Sequence, residues 1–177
     1  MIVAHLMNTG FGPFYDGLLH LFVTPEDLLP VLALTLFAGL RGPLYGRTVL
    51  FALPAAWFAG CILGEALGAA VALPAVAAGV TILFGALAAA DRPMPIRLVA
   101  GLAIGLGILN GSHNGIEMAG GGAVAAAGVA SSLFVLVAIL SGHVSSVRAP
   151  WARVATRVAG SWIVAIGLLM FGWSLRT

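Results

Sequence analysis

Apolar residues along this chain gather into long runs at positions 10–23, 28–40, 48–67, 71–90, 96–114, 119–142 and 155–174, separated by short breaks rich in charge, Pro and Gly. The last five are roughly 18 to 24 residues long, which at about 1.5 Å rise per residue crosses a hydrocarbon core of about 30 Å. These five are predicted as transmembrane helices. The first two runs are shorter and meet at Val23-Thr24-Pro25-Glu26-Asp27. They read either as tilted spans or as a broken, re-entrant helical hairpin, and such a break is tolerated at membrane depth only where it lines protein or a wet cavity. Pro25 disfavours helix at Thr24 and has no backbone N–H, so the chain is expected to turn there. The predicted fold class is all-α, a polytopic transmembrane helical bundle forming one integral membrane domain over residues 1–177. It has seven spans if the first run crosses and six if it is re-entrant.

Composition supports this reading. The hydrophobic set makes up 61% of the 177 residues and charged residues only 8%, against about 45–50% and about 25% in a soluble domain. Mean hydropathy is +1.11. A water-soluble enzyme is thereby excluded. The net charge of +2 comes from eight arginines, with no lysine, set against six acidic residues. These arginines are scattered between apolar runs and form no basic patch, so nucleic acid is not an expected partner. Cys61, the only cysteine, sits in an apolar run and can build neither an internal disulfide nor a thiolate cage; packing is its expected role. Residues 1–9 carry no basic n-region and no long apolar h-region, so no cleavable signal peptide is expected.

The arginines also predict the topology, because short cytoplasmic loops are enriched in them. Arg41 and Arg47 fall in one connection, Arg92 and Arg97 in the next but one, and Arg148, Arg153 and Arg157 in the next but one again. The connections between hold Glu26, Asp27, Glu65 and Glu117 instead, which places them on the outer side. Asp91 and Arg176 depart from the pattern. An inner membrane of a bacterial cell is the expected location. Two stripes of small residues, Gly60, Gly64, Gly68 and Gly107, Gly111, Gly115, predict close helix packing. Pro54 and Pro74 are expected to kink or start helices.

An ionisable group in a spanning segment costs about 2.5–3.5 kcal/mol on insertion scales and so marks a functional candidate. Two clusters qualify. The first holds Asp16, His20, Glu26 and Asp27, with Asp16 and His20 spaced i, i+4 on one helix face. In the second, Asn110, His113, Asn114 and Glu117 project within an arc of about 100° on one helix. The topology brings both clusters to the outer side. Together they offer a mixed nitrogen and oxygen ligand set suited to nickel, cobalt, zinc or manganese. The competing reading is an ordinary helix-end network, with Asp16 fixing His20, Glu117 paired to His113, and Glu26 and Asp27 as a solvated cap. Glu65 reads as a helix-end carboxylate or a third contributor. His143 and His5 read as an interfacial and a terminal histidine. No phosphate-binding loop, nucleophile motif or HExxH helix is present, so an enzyme is not expected.

At these clusters the chain resembles the HupE/UreJ family, small polytopic membrane proteins regarded as permeases or accessory proteins for nickel and related metals. The family's first motif, His-Pro-x-x-Gly-x-Asp-His, falls on residues 20–27. His20 is identical, Glu26 replaces the Asp, and Asp27 stands at the second His. Its second motif, Phe-His-Gly-x-Ala-His-Gly-x-Glu, falls on residues 109–117. Gly111, Gly115 and Glu117 match, Asn110 and Asn114 occupy the two His positions, and His113 takes the Ala position.

The resemblance implies a transporter or channel for a divalent transition-metal cation, with His20, Glu26, Asp27, His113 and Glu117 as ligands and Asp16, Asn110 and Asn114 along the pathway. The metal is cargo, and no resident cofactor is implied. The alternative, from a different class, is a non-transporting accessory protein for metalloenzyme assembly. A pathway for protons or a small neutral solute is a third reading. The expected partners are the lipid bilayer, the metal ion and, as an option, further copies of the chain.

Overall fold

The computed structural model describes residues 10–68, 74–147 and 149–176. His5 and Arg148 lie outside the described residues. The described residues form α-helices without strands: α1 Pro13–Val23, α2 Pro25–Arg41, α3 Pro43–Leu67, α4 Pro74–Ala90, α5 Ile96–Glu117, α6 Gly122–Ser146 and α7 Pro150–Ser174. Proline sets the helix starts. Pro13, Pro25, Pro43, Pro74 and Pro150 each open a helix, where the fixed φ suits the first turn and the missing N–H is one of those left unbonded anyway. Pro54 lies inside α3.

Thr24 is extended (φ −107°, ψ 93°), and α1 and α2 bend by 73° across it. The turn expected from Pro25 is present. At 11 residues α1 is about 16 Å long and too short to cross the hydrocarbon core. It lies across the first turns of α6, where Gly17 meets the Ala125 carbonyl and Gly128 meets the Phe14 carbonyl so closely that a Cβ on either glycine would collide. Four helices, α3, α5, α6 and α7, are long and apolar enough to span alone, and α1 with α2 qualifies as one bent span. Helix α4 has 17 residues from Pro74, at the lower limit of about 17 for a span; positions 71–73 of the predicted run lie outside the described residues.

The helix ends sort by charge. Arg41 at the end of α2 and Arg153 in α7 both pair with Asp91, which follows α4. The Tyr45 hydroxyl donates to the Met94 carbonyl at 2.9 Å, tying the start of α3 to the start of α5, and Gly46 rests on Ser141 near the end of α6. All of these mark one end, the arginine end. Asp27, Glu65 and Glu117 lie toward the other. Asp91 therefore does not disturb the charge pattern: it is the counter-ion of two arginines, and its side chain is 5% exposed.

The two glycine stripes form one seam between α3 and α5. Gly60 and Gly64 lie against the backbone of residues 107–112, and Gly107, Gly111 and Gly115 lie against the backbone of Leu53, Trp57 and Cys61. Gly68 leaves the stripe and caps α3 in the left-handed region (φ 63°), donating its N–H to the Gly64 carbonyl. Cys61 is buried in this seam, consistent with packing. The bundle core beside it is built from Leu21, Leu34, Phe37, Leu53, Trp57 and Leu133, all buried.

Candidate functional site

The break after α1 determines which side chains meet. It turns the last turn of α1 and the first turn of α2 toward the C-terminal end of α5, so that both sequence clusters converge. His20 Nε2 stands 3.8 Å from Asp27 Oδ2 and 3.6 Å from Glu117 Oε2. His113 Nδ1 lies 3.5 Å from Glu117 Oε1 across one helical turn. Asn110 Nδ2 donates to Asp27 Oδ1 at 2.9 Å and approaches the Glu26 carbonyl at 3.5 Å. The contacts run in the order Asp27, His20, Glu117, His113, with side-chain exposures of 5%, 13%, 35% and 31%, so the first two lie inside and the last two are partly exposed.

Asn114 is the innermost member of its cluster and has no exposed surface. Its carboxamide faces both His20 and Asp27. Even so, its oxygen and nitrogen, together with His20 Nε2 and Asp27 Oδ2, are buried without a well-formed hydrogen bond among the described residues. Each such atom costs about 1–3 kcal/mol when desolvated and unpaired. The four atoms belong to three neighbouring side chains, so unspent hydrogen-bonding capacity is concentrated at this place.

The predicted residues divide accordingly. His20, Asp27, Asn110, Asn114, His113 and Glu117 come together. Glu26 is half-buried beside them, offering its carbonyl to Asn110 and its charge to His20 and Asp27. Asp16 is half-buried in the first turn of α1, and the ion pairs of His20 run to Asp27 and Glu117. Within the second cluster Asn114 is buried while His113 and Glu117 remain partly exposed. Glu65 is exposed on the last turn of α3 near the start of α6. His143 is exposed at the arginine end of α6.

Among the described residues, no group of three or more His, Cys, Asp or Glu side chains is arranged to hold a metal ion. The ligand-type side chains meet in pairs. Sequence reasoning missed Trp57, fully buried in α3 against Gly111, whose indole N–H has no hydrogen-bond partner among the described residues; the signal available was the glycine register opposite it.

A strand-free bundle of apolar helices, arginines at one end and a buried polar cluster toward the other, defines a polytopic integral membrane protein. The chain belongs to the HupE/UreJ family, whose model, described as HupE / UreJ protein, matches residues 1–170. No curated protein and no solved structure matches it.

Proposed function

We propose that this protein moves a divalent transition-metal cation, nickel, cobalt or a similar ion, across the membrane by way of the His20 site. The observation that carries the reading is the convergence, on His20, Asp27 and Asn114, of four buried polar atoms that make no hydrogen bond among the described residues and meet only at ion-pair distances. They combine the borderline imidazole nitrogen of His20 with harder carboxylate and amide oxygens, a mixed set within the range that first-row divalent metals accept. Conduction needs binding strong enough to strip water yet weak enough to release the ion. Successive pairs, His113 with Glu117, Glu117 with His20 and His20 with Asp27, meet that need better than a closed cage. The exposed carboxylate of Glu117 gathers cations at the outer end. Uptake of nickel by cells expressing the wild type, against cells with His20→Ala at equal membrane abundance, tests the reading: uptake above the empty vector that His20→Ala abolishes supports it.

One observation favours a second reading. Continuing along α2 from Asp27, the same buried face presents Val31, Leu34 and Ala38, and the Thr35 hydroxyl is bonded to the Val31 carbonyl. A polar site resting on an apolar core suits an accessory protein that holds a metal at the outer end without passing it through. Metal bound by purified protein together with uptake equal to the empty vector would establish that role.

A further inference from the structure

At the arginine end of the bundle, remote from the His20 site, a cleft of about 430 Å³ opens between the ends of α2 and α6 and the first turns of α7. That volume falls within the range of about 300–1,000 Å³ typical of small-molecule sites. Leu40, Val144 and Ala155 form apolar wall, while Arg41, His143 and Arg153 supply polar heads. Asp91 offers one oxygen to Arg41 Nη2 at 2.5 Å and the other to Arg153 Nε. Two guanidinium groups thus share one carboxylate, and the cluster keeps a net positive charge. Arg41 is held inward, its guanidinium 5.1 Å from the Phe37 ring centroid. Arg153 is 56% exposed, and Asp91 engages only its Nε, so its terminal nitrogens are uncommitted among the described residues.

Two further features sit at the same rim. Helix α7 begins there behind Ala149, which has no side-chain acceptor for the first turn, so the positive end of its dipole adds to the arginine field. Trp151 lines the cleft and is 69% exposed, as an anchor at the headgroup level of a membrane is. A cationic head beside an apolar wall at the cytoplasmic membrane boundary matches a phosphodiester that carries acyl chains.

We propose that this cleft binds an anionic phospholipid of the cytoplasmic leaflet, with Arg153 on the phosphate and an acyl chain along Leu40, Val144 and Ala155. The full-length protein in neutral detergent, incubated with phosphatidylglycerol or phosphatidylcholine and analysed by native mass spectrometry, tests it. Phosphatidylglycerol should be retained in preference to phosphatidylcholine, and Arg153→Gln should weaken that retention about fivefold, the worth of one surface arginine on an anionic lipid. Ala155→Phe fills the cleft while leaving both Asp91 ion pairs intact, and should lower retention with unchanged far-ultraviolet circular dichroism. Equal retention of the two lipids, or retention indifferent to both substitutions, would overturn the proposal. So would displacement of the lipid by an equal concentration of inorganic phosphate, which would assign the cleft to a soluble anion.

Discussion

His20 Nε2 lies 3.6 Å from Glu117 Oε2, although 97 positions separate the two residues in the chain. The contact joins the last turn of α1 to the last turn of α5, and it depends on the break at Thr24 that turns α2 away from α1. Without that bend the imidazole would not face α5, and each polar group would bear its desolvation cost alone. Replacing Pro25 by Ala, which lets a helix run through Thr24, should therefore weaken metal binding by the purified protein while leaving Glu117 and His113 unaltered. Calorimetric titration with nickel checks this.

The α3–α5 seam gives a sharp contrast in stability. A methyl group at Gly115 would collide with the Cys61 carbonyl, whereas one at Gly101 on the same helix meets nothing within 4 Å. Gly115→Ala should destabilise the bundle by about 1–3 kcal/mol, the usual cost of overpacking. Gly101→Ala should be neutral or stabilising by up to about 1 kcal/mol through helix propensity. Thermal unfolding of the two variants in one detergent measures the difference.

Asp91 ties α2, α4 and α7 together at the arginine end. Its side chain is 5% exposed and that of Arg41 12%, so Asp91→Asn leaves a nearly buried guanidinium unpaired and should cost about 3–5 kcal/mol. Arg153→Gln should cost much less, because that partner is 56% exposed and exposed pairs contribute about 0–1 kcal/mol. Chemical unfolding of both variants gives the ranking.

Much of this organisation is legible in the residues, because lipid enforces it. Unbroken apolar runs, the arginine alternation and the proline at five of the helix starts are direct responses to a solvent that cannot hydrogen-bond, and they recover the helices and the charged end of the bundle. The glycine stripes predict a seam but not its partner; that Gly64 and Gly115 line the same contact is a matter of relative helix height, which no periodicity encodes. Local spacing places Asp16 on the His20 face of α1, but it does not encode the ion pairs of His20 with Asp27 and Glu117, which come from α2 and α5. The bend at Thr24 decides this, and its 73° is a property of tertiary packing. Asp91 looked out of place among arginines for the same reason: its partners come from helices distant in sequence. The number of crossings was not legible in the runs: α1 alone is too short, and with α2 it qualifies as one bent span.

On the proposed reading, the asparagines of the second cluster set how tightly the cation is held. Asn110 contacts Asp27, and Asn114 faces His20 and Asp27; neutral amide oxygens at these places favour harder ions or weaker binding than imidazole nitrogens do. Asn110→His together with Asn114→His should raise nickel affinity. Calorimetry on the purified double variant checks it, and an unchanged affinity would mean that these positions do not reach the ion.

The proposed passage of a cation by way of the His20 site requires an ion to rest between His20 and Glu117, and this is tested most directly by anomalous diffraction from crystals of the protein soaked in nickel or cobalt. The account predicts a peak within coordination distance of His20 Nε2 and Glu117 Oε2, absent from crystals of His20→Ala. Peaks confined to surface histidines such as His143, with none at His20, would contradict it.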